Sequence, residues 1–279
     1  MEIKNLEITR NDFEEAIPVA TTKNDSVFDL VAPFIESGIL HVADDVLGAA
    51  GVNAVSSGGG GQLVRLVKRL VCLDVFLPHF RSLDLVLTAT GFGVVSTQDL
   101  TPASKARVDA LKSQLDIEQK RAECRVLREL FLVDGWSSQV QRKRCVPNLF
   151  FDFSYLGSYA GVESPTMNDW RRVQPQVLEA DGFLRSKLGD GQMEVFLGKL
   201  TSHGLCPVEE EACLRMLRFM GLHIGGHARS AKACFRSLMN YIESHLDVFT
   251  AYGDSDVWKT NHFKGYENTK ESGMFLFQG

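Results

Sequence analysis

Two histidines four residues apart, His223 and His227, are the nearest thing in this chain to a metal-binding pattern. Such a pair can bring two imidazoles to one ion on a helix face. Here Gly225 and Gly226 weaken the helix between them, no Glu follows the first His, and no third ligand is close in sequence. The pair reads as a helix end or an interhelical turn, and no metal is expected. His79, beside Pro78, reads as a helix-end residue. Cys145 follows Arg142, Lys143 and Arg144, cations that lower a thiol pKa, but no partner His is identifiable. The glycines at 58–61 are followed by Gln-Leu and not by Lys-Ser/Thr, which excludes a P-loop. Gly91, Phe92 and Gly93 lack the third glycine and the directly following helix of a dinucleotide fingerprint. A Gly-x-Ser-x-Gly nucleophile turn is absent from the sequence. Acidic groups such as Asp44-Asp45 and 209–211 read as solvated helix faces or first-turn dipole partners. No catalytic residue and no cofactor is expected, and the chain reads as a non-enzyme.

Composition agrees with a folded protein that lacks a strong electrostatic partner. The 279 residues are 44% hydrophobic and 23% charged, with 30 basic and 35 acidic side chains. That excludes a disordered, collagenous or disulfide-scaffold chain. Residues 1–148 carry 17 basic and 19 acidic side chains and the remainder 13 and 16, so neither half is the basic one. Protein partners are favoured over nucleic acid. Lys120, Arg121, Arg125 and Arg128 do form a basic face, but Glu118, Glu123 and Glu129 interleave with it and point to intrahelical ion pairs. Nonspecific contact with DNA is a secondary expectation. The acidic, polar start is not a secretory signal peptide. The apolar stretch 63–80 is interrupted by Arg65, Lys68, Arg69 and Asp74, too charged to span a bilayer, so no membrane partner is expected. Six scattered cysteines without a CxxC read as reduced thiols, most of them in the core.

The elements expected from periodicity are mainly helical. Phe28, Val31, Ile35, Ile39, Val42 and Val46 recur at helical steps, and a loop is expected from Gly48 through the glycines at 58–61. A second helix runs over 62–77, with Leu63, Leu66, Val67, Leu70, Leu73 and Leu77 inward and Arg65, Lys68, Arg69 and Cys72 on or near the opposite side. Residues 83–100 lack a helical period and read as an extended arm or short hairpin. Thr101 and Pro102 start a long helix to about Phe131. The Gly, Ser and Pro of 133–148 mark a boundary, after which the pattern repeats: 31–48 with 173–189, 63–80 with 210–224, 102–131 with 228–249. Thr166 and Asp169 form a capping-box pattern. The expected architecture is two tandem helical-bundle units, 1–148 with the arm 83–100 and 149–279 with an extended tail 250–279. The tail spaces Tyr252, Trp258, Phe263, Tyr266, Phe275 and Phe277 through polar residues. That suits an arm anchored on its own body or on a neighbour, or a hairpin closing the fold.

Particular residues carry a resemblance. Thr88, Thr90, Gly91, Phe92, Gly93, Val94, Val95 and Ser96, then Pro102, Ala103, Ser104, Lys105, Arg107 and Val108, resemble an uncharacterised family of Bacteroidetes genomes and their tailed phages. The ending 268–279 is similar as well, whereas 166–172 departs from the family's second unit. The resemblance implies a head-completion, or head–tail adaptor, protein: a virion protein assembled in the bacterial cytoplasm, forming a homo-oligomeric ring with portal and tail-completion proteins as partners. In such a ring, Thr90, Gly91, Phe92, Gly93, Val94 and Val95 of the arm would contact the next protomer. Trp258, Phe263, Tyr266, Phe275 and Phe277 of the tail would do the same. The alternative is a host or phage scaffold or interaction protein in the bacterial cytoplasm, and behind it a nucleic-acid-processing factor or an enzyme.

Overall fold

The computed structural model describes residues 3, 6–17, 26–58, 61–80, 85–88, 91–94 and 104–262, with backbone alone for 85–88 and 91–94. The fold is mainly α-helical. Helix α1 (Arg10–Ala16) starts from a capping box in which Thr9 and Asp12 satisfy each other's backbone N–H. It packs on α5 (Gly61–His79), with Phe13 edge-on to Phe76 and to Phe28 of α2 (Ser26–Val31). A 3-10 turn at Ala32–Phe34, set by Pro33, leads into α3 (Ile35–Val42). A π turn (Ala43–Leu47) follows, and then α4 (Gly48–Ser56).

Helix α4 replaces most of the loop expected after Gly48. Val52 and Val55 are buried, and a Cβ at Gly51 would press on Leu130, so close packing outweighs the poor helix propensity of this stretch. In α5 every expected inward leucine is buried, but Cys72 is also in the core and not on the polar side. Gly38 of α3 sits on Val75 and Val71 of α5, where a side chain would hold the two helices apart.

Strands β1 (Leu85–Thr88) and β2 (Gly91–Val94) pair antiparallel, Leu85 opposite Val94 and Thr88 opposite Gly91. Helix α6 (Lys105–Leu130) packs along α5. It begins at Lys105, three residues later than expected, because Ser104 is extended at φ −62°, ψ 145°. Residues 133–148 hold a 3-10 turn (Trp136–Ser138) and α7 (Val140–Cys145), and Trp136 is wholly buried. Helix α8 (Tyr155–Ser158) precedes α9 (Met167–Leu188), whose Thr166–Asp169 capping box forms as expected.

Helices α10 (Asp190–Leu200), α11 (Pro207–Ile224) and α12 (Ala228–Glu243) complete the second half. Gly221 on α11 and Gly225 at its C-terminal cap receive the backbone of Tyr159 and Ala160. Helix α12 ends earlier than the expected Phe249, and the expected extended tail is instead helical over its first residues, as α13 (Thr250–Gly253) and α14 (Asp256–Asn261). Phe249 and Tyr252 are wholly buried, so this stretch folds back because its aromatics have core to fill. Buried residues from Ile3 to Tyr252 form one continuous cluster to which both halves of the chain contribute. Among the described residues no helix is long and apolar enough to cross a membrane.

Candidate functional site

A cleft of about 670 Å³ opens between α3, the π turn, α5, α6, α7 and the first turns of α9. His41, in the last turn of α3, lines it. The imidazole Nδ1 lies 2.8 Å from Asp74 Oδ2 of α5, and Nε2 lies 3.0 Å from Asp45 Oδ2 of the π turn. The hydrogen bond to Asp74 raises the His41 pKa, partial burial opposes it, and the charges of both carboxylates add to the rise. Each carboxylate is held from behind. Gln119 Nε2 donates to Asp74 Oδ1 at 3.0 Å, and Arg144 Nη2 to Asp45 Oδ1 at 2.7 Å.

Lys120 of α6 donates to both oxygens of Glu123 at 2.8 Å and stands 5.6 Å above the Trp170 ring of α9. Burial works to lower the Lys120 pKa, but the Glu123 charge wins and raises it. Burial pushes the Cys145 thiol up to about 11, so it is a poor nucleophile at neutral pH. The far wall is aromatic. Asn148 Oδ1 accepts the Phe150 N–H at 2.9 Å, an Asx turn that swings Phe150 and Phe151 inward, each edge-on to Tyr155. Trp170 packs at 5.9 Å on Phe153. A smaller groove of about 290 Å³, between Phe34, Gly38, Val75 and His79, meets the cleft at the His41–Asp74 pair.

The π turn is fastened by three side chains. At Gly48, φ +61° ends the helical run. Gln141 Nε2 donates to Asp44 O at 2.9 Å, Cys145 Sγ to Asp45 O at 3.4 Å, and Trp136 Nε1 to Val46 O at 3.1 Å. Three successive carbonyls are thereby satisfied from one segment, which fixes where His41 and Asp45 stand.

The arm and tail residues expected as contacts are not brought to this cleft by the described structure. Gly91, Phe92, Gly93 and Val94 form β2. Trp258 lies on α14, against the rings of Tyr252 and His262. Thr90, Val95, Phe263, Tyr266, Phe275 and Phe277 lie outside the described residues. The basic clusters are engaged by carboxylates: Arg142 is buried on Glu194, Arg121 pairs with Glu118, and Arg128 pairs with Asp152. His223 and His227 flank the turn at Gly225 and Gly226 between α11 and α12. Among the described residues no group of three or more potential ligands is placed to hold a metal ion. Sequence reading missed His41, Asp74 and Trp170. The run of Phe150, Phe151, Phe153 and Tyr155 was the signal that an aromatic wall was being built.

Residues 40–141, a little over a third of the chain, match a family of unknown function, DUF6712. That span starts one residue before His41 and ends at Gln141, so it holds the π turn, both strands, α4 to α6 and two of the three fastening side chains. No curated protein and no solved structure matches the chain.

Proposed function

We propose that the protein is a non-enzymatic interaction protein of scaffold type, which holds a segment of another protein chain in the cleft. The observation that carries this reading is the state of the cleft's ionisable groups. His41 is taken up by two carboxylates, Lys120 by Glu123 and Arg144 by Asp45, and the Cys145 thiol donates to a backbone carbonyl. A general base or nucleophile needs an acceptor free to face substrate. The surface left for a ligand is an aromatic and amide wall with balanced charges at its rim, which is the composition of a protein-binding groove. Exposed apolar side chains elsewhere, Leu132 and Val140 beside the Trp136 turn and Leu178 on α9, support further protein contacts.

The narrower form of the proposal is a phage head–tail adaptor that rings the portal. It is favoured by the resemblance around β2 and by the strand pair itself. A two-stranded ribbon has two edges, and an edge is where a neighbouring chain adds a strand. A division into two tandem helical units, 1–148 and 149–279, goes with it. α5 packs on α6 and α11 on α12, while Gly48 and Gly189 both follow a buried leucine and take positive φ. Light scattering of the full chain, alone and mixed with a phage portal protein, tests both forms. A ring or a complex is expected, weakened by Trp170→Ala. A monodisperse monomer that ignores the portal overturns the adaptor, and unchanged partner binding by Trp170→Ala overturns the cleft as the docking site.

A further inference from the structure

The charge of the second half is unevenly spread. Between Glu211 and Glu243 the chain carries Arg215, Arg218, Arg229, Lys232 and Arg236 and no Asp or Glu, in a sequence of net charge -5. That stretch holds most of α11 and α12. On α12, Arg229, Lys232 and Arg236 fall within about 60° of one another around the axis, turned away from buried Ala231, Leu238 and Ile242. All three are exposed, and neither they nor Arg218 make an ion pair among the described residues. Arg218 stands close enough to α12 for its charge to act on the Cys234 thiol. Only Arg215 is engaged, by Glu211 at 2.7 Å and the Ser237 hydroxyl at 2.8 Å. The basic clusters of α6 and α7, by contrast, give Arg121, Arg128 and Arg142 to carboxylates.

Like charges three and four residues apart destabilise a helix, and an anion laid along the face relieves them. The face itself selects the anion. Helix α12 carries none of the exposed large apolar side chains that a membrane surface or the centre of a protein interface needs. Its rings offer no platform for unpaired bases. Phe235 packs on Phe183 and Phe219, and the Arg215 guanidinium covers Tyr241 at 4.5 Å. Asn240, exposed on the same face, adds a polar group able to bond a phosphate oxygen. A polar, positively charged surface without an apolar centre is the composition of a contact with duplex DNA.

We propose that Arg229, Lys232 and Arg236 of α12, with Arg218 of α11, bind the phosphate backbone of double-stranded DNA without reading its sequence. This surface shares no residue with the cleft, and it stands whether or not a protein segment docks there. Fluorescence anisotropy of a short labelled duplex tests it. Four phosphate contacts give a slope of log K against log salt of about −3.6, or about 150-fold weaker binding at 200 mM than at 50 mM salt. Arg229→Ala/Lys232→Ala/Arg236→Ala should flatten the slope to about −0.9. The replaced side chains are exposed, so circular dichroism should show the parent's fold and nearly its Tm. Lys259→Ala, which removes a cation paired with Asp256, and Trp170→Ala, in the cleft, should both leave the slope unchanged. No binding at low salt, or a slope that the triple variant does not alter, overturns the proposal. Tighter binding of the single strand, of a poly-glutamate peptide or of anionic lipid vesicles also overturns it, each naming another occupant. Two duplexes of unrelated sequence should bind equally, and a clear preference between them overturns the backbone reading.

Discussion

Replacing Gly221 by alanine would place a methyl carbon 2.5 Å from the Tyr159 carbonyl carbon and 2.6 Å from its Cβ, with the carbonyl oxygen nearer still. Real Cβ atoms stay beyond about 3.0 Å, so α11 and the 155–160 segment must part by at least about 0.5 Å. Overpacking costs about 1–3 kcal/mol, and contact with backbone, which has no rotamer to change, places this site near the upper figure. Alanine returns about 1 kcal/mol of helix propensity. The net loss is about 2 kcal/mol, or a fall in Tm of about 4–8 °C at roughly 2–4 °C per kcal/mol. Gly182 on α9 is the control, since a Cβ there meets nothing within 4 Å. Gly182→Ala should gain roughly 0.5–1 kcal/mol and raise Tm by about 1–4 °C. Thermal unfolding followed by circular dichroism reads both. If Gly221→Ala melts at or above the parent while Gly182→Ala behaves as stated, close backbone approach is not what holds α11 in place.

Three further outcomes follow from buried or paired polar groups. NMR titration should find His41 above its ordinary value of about 6.5, and Asp74→Asn should bring it down. Because that pKa is raised in the folded protein, the His41 contribution is complete below about pH 6.5 and fades as pH rises through the folded value. Glu209 behaves oppositely. Burial would raise its pKa, but the Lys199 ammonium and the Cys206 N–H prevail and hold it low. Its contribution is present above about pH 4.3 and is lost as pH falls through the folded value, so the denaturant midpoints of wild type and Glu209→Gln should converge in acid. Tyr252 is wholly buried with no partner for its hydroxyl among the described residues, so Tyr252→Phe should hold or raise Tm, by up to about 1 kcal/mol of stability. A clear fall would show that the hydroxyl is satisfied.

The parts of this fold legible in sequence were those set by local chemistry. The inward leucines of α5 and the Thr166–Asp169 cap need only their own neighbours. Helix α4 was not legible, because its glycines and serine signal a loop until Leu130 arrives to cover Gly51. The helical stretch 250–261 was missed for a related reason: scattered aromatics look like an arm until Phe196 and Gln192 receive Phe249 and Tyr252. The cleft was the least legible part. His41 and Asp74 are 33 residues apart, on helices whose close approach depends on the missing side chain of Gly38. No spacing rule reports such a pair.

The fastening of the π turn also sets the order of events when the chain folds. Its three donors lie 90, 97 and 100 residues from the carbonyls they satisfy. Closing a loop of that length carries a large entropy cost that local helices do not meet. The α5–α6 hairpin can form on its own terms, while the fastening waits until both ends of the intervening chain are in place. Losing it should therefore leave the refolding rate nearly unchanged and quicken unfolding, the signature of a contact made after the rate-limiting step. Stopped-flow kinetics of Gln141→Ala would show this as a shift confined to the unfolding limb. The three bonds then act as a kinetic latch, slowing the escape of the finished structure more than they guide its assembly.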